Sequence, residues 1–138
     1  IVVFEMLLIH TTEKRFTVTQ LLVFGSFITS ISFVLFTVNH TLGMLYFAIG
    51  LMSIGEMLVL PLMSTVTAFR AQKNNRGAYM GLNGISTAIA FIVSPFLGTH
   101  VATTYGFDTL WLITAVLLVA VAIGYYFFTK PLLPKNMQ

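Results

Sequence analysis

Of the chain's 138 residues, 57% are hydrophobic and only 8% charged, where a soluble domain carries about 25% charged residues. With a mean hydropathy of +0.93, a water-soluble core is excluded and lipid becomes the expected solvent. The formal charge of +3 does not point to nucleic acid, because the seven basic residues are scattered over short polar segments, and the absence of cysteine excludes a disulfide framework and a thiolate metal site.

Residues 1–9 (IVVFEMLLI) are apolar apart from Glu5. A spanning helix needs about 20 residues, so this segment is expected to be the end of one. No basic n-region precedes it and no small-residue cleavage site follows, so it does not have the form of a signal peptide. A chain that starts in mid-helix without Met is expected to be the C-terminal piece of a longer polypeptide.

The polar segment HTTEKRF follows, and then a first complete span at 17–38. Its Gly25, Ser26, Thr29, Ser30 and Ser32 suit helix–helix packing, and hydroxyls in lipid can bond back to their own helix without lining a pathway. A second span is expected at 42–69, with Glu56 near its middle and Pro61 as a point of bending. The basic loop RAQKNNRG leads to a third span at 77–101. There Gly77, Gly81, Gly84 and Ala88 recur at spacings of four, three and four, which puts them in one helical stripe, expected to pack closely against another helix. Pro95 and Gly98 are expected to interrupt its far end, and HVATTYGFD to form the next loop. The last span, 109–128, is almost featureless and is expected to face lipid over most of its surface. Its Trp111 and its Tyr125–Tyr126 pair stand where aromatic belts form.

Lys and Arg fall on alternate connections: Lys14 and Arg15, then none, then Arg70, Lys73 and Arg76, then none, then Lys130 and Lys135. Positive residues are retained in the cytoplasm. Loops 10–16 and 70–76 and the C-terminus are therefore expected on the cytoplasmic side of a plasma (inner) membrane.

One stretch carries most of the chemistry. Gly55 to Gly84 begins with an acid inside an apolar run, crosses a proline and a basic loop, and leaves on the glycine stripe. A carboxylate at the bilayer centre costs about 2.5–3.5 kcal/mol on insertion scales, so it is a functional candidate by default. A carboxyl in hydrocarbon favours its protonated form. Gaining and losing a proton as exposure changes is what proton-coupled transport requires. The bland reading of Glu56 is a structural carboxyl paired with another helix. Asn83 is a candidate substrate contact, or a bond to a neighbouring helix. Met52, with Met57, Met63 and Met80, could form an adaptable apolar wall. Glu5 is a candidate for a charge latch with Arg76 or Arg15 near the cytoplasmic boundary, or it snorkels there. Arg76 at a helix start is poorly placed against the dipole, which favours a carboxylate partner.

Enzymatic chemistry has little support. His10, His40 and His100 are too far apart in the chain's topology for a metal cluster. Asp108, the one aspartate, sits outside any Ser-His-Asp grouping, and the glycines lack the Lys of a phosphate loop. No cofactor is expected.

The order of features resembles the C-terminal half of a major facilitator superfamily transporter of the drug/proton antiporter type. It consists of F-E-M-L-L (Phe4 to Leu8) before a basic loop, G-E-M-L-x-x-P (Gly55 to Pro61), R-G-x-Y-M-G (Arg76 to Gly81) and S-P-F-L-G (Ser94 to Gly98). HTTEKRF departs from the family's loop signature, having Glu13 and no glycine. The resemblance implies an all-α membrane protein: a partial major-facilitator bundle of four complete transmembrane helices plus the end of a fifth. The four would correspond to helices nine through twelve. It also implies a small organic solute or drug, protons, the lipid bilayer and an N-terminal half of the same transporter as partners, with antiport and efflux as the activities of such carriers and the direction of transport left open. A non-transporting helical module or assembly subunit, with the glycine stripe as its interface, is the alternative.

The topology is directly testable because the chain has no native cysteine. Single cysteines replacing Lys73 and Tyr105 should label with a membrane-impermeant thiol reagent from opposite faces of the membrane. Labelling from the same face would overturn the count of spans.

Overall fold

The computed structural model describes residues 16–38, 41–70 and 75–129, and their structure is four helices: α1 (Val18–Val38), α2 (Leu42–Arg70), α3 (Arg76–Tyr105) and α4 (Phe107–Thr129). Each is long and apolar enough to cross a membrane. Helices are the form expected in hydrocarbon, where every backbone N–H and C=O must be satisfied within its own segment. The starts of α1, α2 and α4 and the ends of α1, α2 and α4 fall within two residues of the bounds read from hydropathy.

α1 begins with a capping box. The Thr17 N–H donates to Gln20 Oε1 (3.1 Å) and the Gln20 N–H donates to Thr17 Oγ1 (3.3 Å), which satisfies two of the donors a helix start leaves free. Its 21 residues span about 32 Å, close to the thickness of the hydrocarbon core.

α1 is the hub. It packs extensively against α2 on one side and α4 on another, whereas α3 touches α4 and α2 only slightly. The small and hydroxyl residues Gly25, Ser26, Thr29, Ser30 and Ser32 are all buried, because two neighbours approach α1 closely. Two hydroxyls bond within the helix, Thr29 Oγ1 to the Gly25 carbonyl (2.9 Å) and Ser32 Oγ to the Thr29 carbonyl (2.8 Å). Ser30 reaches across instead, donating to the Ala115 carbonyl of α4 at 2.9 Å.

Toward the start of α1, Val18, Leu21 and Leu22 bury against Leu62 of α2, with Val59, Val66 and Tyr125 packed around them. At the other end Trp111 of α4 stacks among Phe33 and Phe36 of α1 and Phe107, with ring centroids 5.8, 5.4 and 6.4 Å away. Trp111 therefore also joins two helices. The rest of α4 meets α1 through the buried Ala115 and Ala122, while Leu112, Ile113, Val116, Leu117, Val121 and Ile123 stay exposed. That face of α4 is an exposed apolar surface.

The far end of α3 differs from expectation. The helix does not break at Pro95 or Gly98 but continues to Tyr105, and the connection to α4 is the single residue Gly106. Proline removes one backbone donor, which is tolerable in a membrane helix where local hydroxyls compensate. The carbonyl that loses its helical donor is that of Phe91, and one turn after the proline Thr99 Oγ1 donates to the Pro95 carbonyl at 2.7 Å. At 30 residues α3 spans about 45 Å, so its ends reach past the hydrocarbon.

Gly106 has φ 89° and ψ 163° while its N–H closes α3 on the Ala102 carbonyl. That region of backbone space is open essentially to glycine alone. Gly106→Ala should therefore destabilise the α3–α4 junction by about 1–3 kcal/mol, measured as a lowered midpoint of unfolding in detergent. An unchanged midpoint would contradict the assigned geometry.

Candidate functional site

α2 carries two opposed faces. Ala48, Gly55, Leu58 and Leu62 are buried, with Leu51 and Val66 half-buried, at the three- and four-residue steps of one helical stripe. That stripe lies on α1. The other stripe, Ile49, Ser53, Glu56, Leu60, Met63 and Thr67, is exposed or half-buried, and of these side chains only Met63 is hydrogen-bonded to another described helix.

Glu56 is the fifteenth of the 29 residues of α2, so it sits at the middle of the helix. Its side chain is exposed, and among the described residues it has no hydrogen bond and no ion pair. The register with α1 gives a second estimate of depth. Gly25 lies against Gly55, and the helices are antiparallel across a short connection. The centre of α1, at Ile28, is then level with about residue 52 of α2, which leaves Glu56 about 6 Å from mid-depth on the side of the α2–α3 connection. An acid at that depth with no described partner is the feature of this structure that most needs a reason.

The surroundings of Glu56 are sparse. Ser53, one turn away, bonds back to the Ile49 carbonyl (3.0 Å), and Ser64, Thr65 and Thr67 likewise bond to carbonyls of their own helix. These hydroxyls spend their protons on the backbone and keep an acceptor lone pair outward. Met52 is half-buried one turn beyond Glu56. Met63 accepts a hydrogen bond at Sδ from the Tyr125 hydroxyl at 2.8 Å, which ties the lower half of α2 to α4. That link carries no signal in the sequence, where Tyr125 reads only as part of an aromatic belt.

The other sequence candidates are placed as follows. Asn83 is half-buried on α3, with no hydrogen bond from its side chain among the described residues. It stands seven residues into α3, whereas Glu56 stands fourteen from the end of α2, a difference of about 10 Å in rise. The structure does not bring the two together. Gly77, Gly81, Gly84 and Ala88 are all exposed, and a Cβ built on any of the three glycines would meet nothing within 4 Å. Glu5 and Arg15 lie outside the described residues, as does the Arg76 side chain, and with them the charge latch.

The tight approach in this chain lies elsewhere, between Gly25 and Gly55. A signal for it was present: Gly55 falls on the same stripe as Leu51, Leu58 and Leu62. It was outweighed by the more regular run of glycines in α3. Two grooves flank Phe24 of α1, one of about 590 Å³ reaching Tyr126 and one of about 470 Å³ reaching Ile54 and Leu58 of α2. Neither includes Glu56. Among the described residues no three His, Asp or Glu side chains gather as a metal ion would require.

The helices, their apolar surfaces and a mid-helix acid on an exposed face describe a membrane protein. The family model described as Major Facilitator Superfamily matches residues 3–136. The chain belongs to the major facilitator superfamily. No curated protein and no solved structure gave a match. Membership makes this an integral membrane protein of a transporter family.

The two readings of Glu56 predict different stabilities. Because its carboxyl holds no described partner, Glu56→Gln should change the unfolding midpoint of the chain in detergent by no more than about 0.5 kcal/mol. A loss of several kcal/mol would assign Glu56 a structural bond.

Proposed function

We propose that this chain is the C-terminal half of a secondary transporter that moves a small organic solute by alternating access, coupled to protons. The observation that carries the reading is Glu56: an acid at the middle of α2 whose side chain is exposed and has no hydrogen bond or ion pair among the described residues. In transporters built from repeats, substrate and coupling-ion sites lie near the midplane at the interface between repeats. An open, polar-edged face at that depth is where such an interface would form.

The physical cycle follows from the carboxyl. Facing a closed, dry interior, Glu56 is held neutral by a proton, because an uncompensated charge there is costly. When the pathway opens to water the charged form is hydrated and the proton can leave. Movement between the two states couples the protonation of one side chain to which side of the membrane the pathway faces. Met52 and Met63 bound this face with flexible thioethers that adapt to varied apolar ligands, and the outward lone pairs of Ser53 and Ser64 offer acceptors. Exchange of solute for protons, the antiport of an efflux carrier, is part of this reading. Asn83 would contact solute lower in the pathway.

The wall opposite would come from an N-terminal half of the same transporter, and Gly77, Gly81, Gly84 and Ala88 of α3 would then receive a helix from outside this chain. The alternation of basic residues supports a cytoplasmic C-terminus, in the plasma (inner) membrane. No enzymatic activity is proposed.

The test uses the complete transporter reconstituted in vesicles. Glu56→Gln should abolish transport driven by a pH gradient, a fall of about 100-fold or more, equivalent to removing a protonation step the cycle cannot bypass. Solute exchange at equal pH should survive. Proton-driven transport at the parental rate would remove the coupling role from Glu56.

A further inference from the structure

We infer that Gly25 and Gly55, with Thr29, are positioning residues for Glu56: the backbone crossing they form sets where the carboxyl stands. This rests on the reading of Glu56 as part of the pathway. It adds a set of residues that touch neither proton nor solute.

Of ten glycines in the chain, eight would gain a Cβ into open space. Gly25 and Gly55 would not. A Cβ on Gly25 would come within 2.8 Å of Val59 Cγ2 and 3.1 Å of the Gly55 carbonyl oxygen. A Cβ on Gly55 would overlap Thr29 Oγ1 and come within 2.8 Å of the Gly25 carbonyl oxygen and 3.0 Å of the Thr29 nitrogen. The relation is reciprocal: each glycine's carbonyl occupies the space the other's side chain would need. Backbone approach of this kind is how helices associate closely in lipid, and it allows Cα–H donors to meet carbonyl oxygens.

The platform under the crossing is fixed. Thr29 Oγ1 is bonded to the Gly25 carbonyl and the Thr29 carbonyl accepts from Ser32, so the wall that faces Gly55 is not a freely turning rotor. Ser30 holds the same turn of α1 to α4. Below the crossing, α2 is anchored again where Leu62 buries and Met63 accepts from Tyr125. Glu56 lies between these two anchors, one residue from the first. Its own side chain makes no hydrogen bond or ion pair with a described residue, so its position is inherited from the backbone. Pro61, within the same interval, removes one ladder bond, which leaves the crossing as the firmer constraint. Thickening it by one methyl must translate or rotate α2, and Glu56 moves with it.

Because the chain has no cysteine, Glu56→Cys supplies a single thiol at the position itself. Its rate of modification by a charged, membrane-impermeant methanethiosulfonate is read in the full chain in vesicles. The backgrounds are Gly25→Ala, Gly55→Ala and, as a control on the same helix, Gly50→Ala, which meets open space. The first two should change the rate at position 56 by about tenfold and the third should not. Adding Thr29→Ala to Gly55→Ala removes the hydroxyl but leaves the Gly25 carbonyl oxygen within 2.8 Å of the new Cβ, so the rate should return toward the parent's only in part. A second thiol, Asn83→Cys, should be indifferent to all of them.

Equal rates at position 56 in every background overturn the inference. So does a parallel change at position 83, which would report general loss of structure. In the complete transporter, Gly25→Ala should shift the pH midpoint of transport while Gly50→Ala leaves it in place. If Glu56→Gln leaves proton-driven transport intact but the labelling still depends on the two glycines, the coupling role falls and the positioning stands.

Discussion

Helices in lipid gain nothing from burying leucine against leucine, because lipid is as apolar as the neighbour. What brings them together is close fit, and in this chain the closest fit is the crossing of Gly25 over Gly55. Its consequences spread outward. It lays the Ala48–Val66 stripe of α2 on α1 and leaves the Glu56 stripe open. It also fixes the register that lets Leu62 bury among Val18, Leu21 and Leu22. With small residues on more than one of its sides, α1 can receive α4 as well, through Ser30, Ala115 and the aromatic cluster about Trp111.

The same rule accounts for α3. It carries the most regular small-residue stripe of the four helices, yet that stripe meets nothing in this chain. A groove of glycines produces attraction only where another backbone enters it. α1 and α4 are already engaged with each other, and α2 presents its glycine to α1. The contacts of α3 are therefore slight, and almost its whole length is exposed. Hydroxyls do not alter this, since Ser86, Thr87, Thr99 and Thr103 bond back to their own helix.

The sequence is most informative where a property belongs to one helix at a time. Hydropathy sets the four spans, since the cost of a polar run in hydrocarbon is paid locally, and Glu56 stands out for the same reason. Pairwise properties were harder to read. Gly55 and Gly77 are both glycines on an apolar helix, and nothing local says that only Gly55 will face another glycine. The Met63–Tyr125 bond joins residues 62 apart, and neither type announces the other. Pro95 and Gly98 suggest a break by their soluble-protein habits, but without water to compete for freed backbone groups the helix continues to Gly106. Gly106 was legible as a breaker, though the loop it was expected to sit in is only itself.

An acid at the centre of a membrane helix is costly by about 2.5–3.5 kcal/mol on insertion scales. That is a large share of the margin by which a domain is stable. Such a cost is met by a partner, by a proton or by water. Within the described residues Glu56 has no partner, and its neighbours on α2 have turned their hydroxyl protons to the backbone. The remaining two ways, a proton and water, are the states between which a coupled transporter moves. Had the carboxyl faced α1, burial would have locked it into one of them. The crossing at Gly55 instead leaves it about 100° around the helix from that contact, with its side chain exposed.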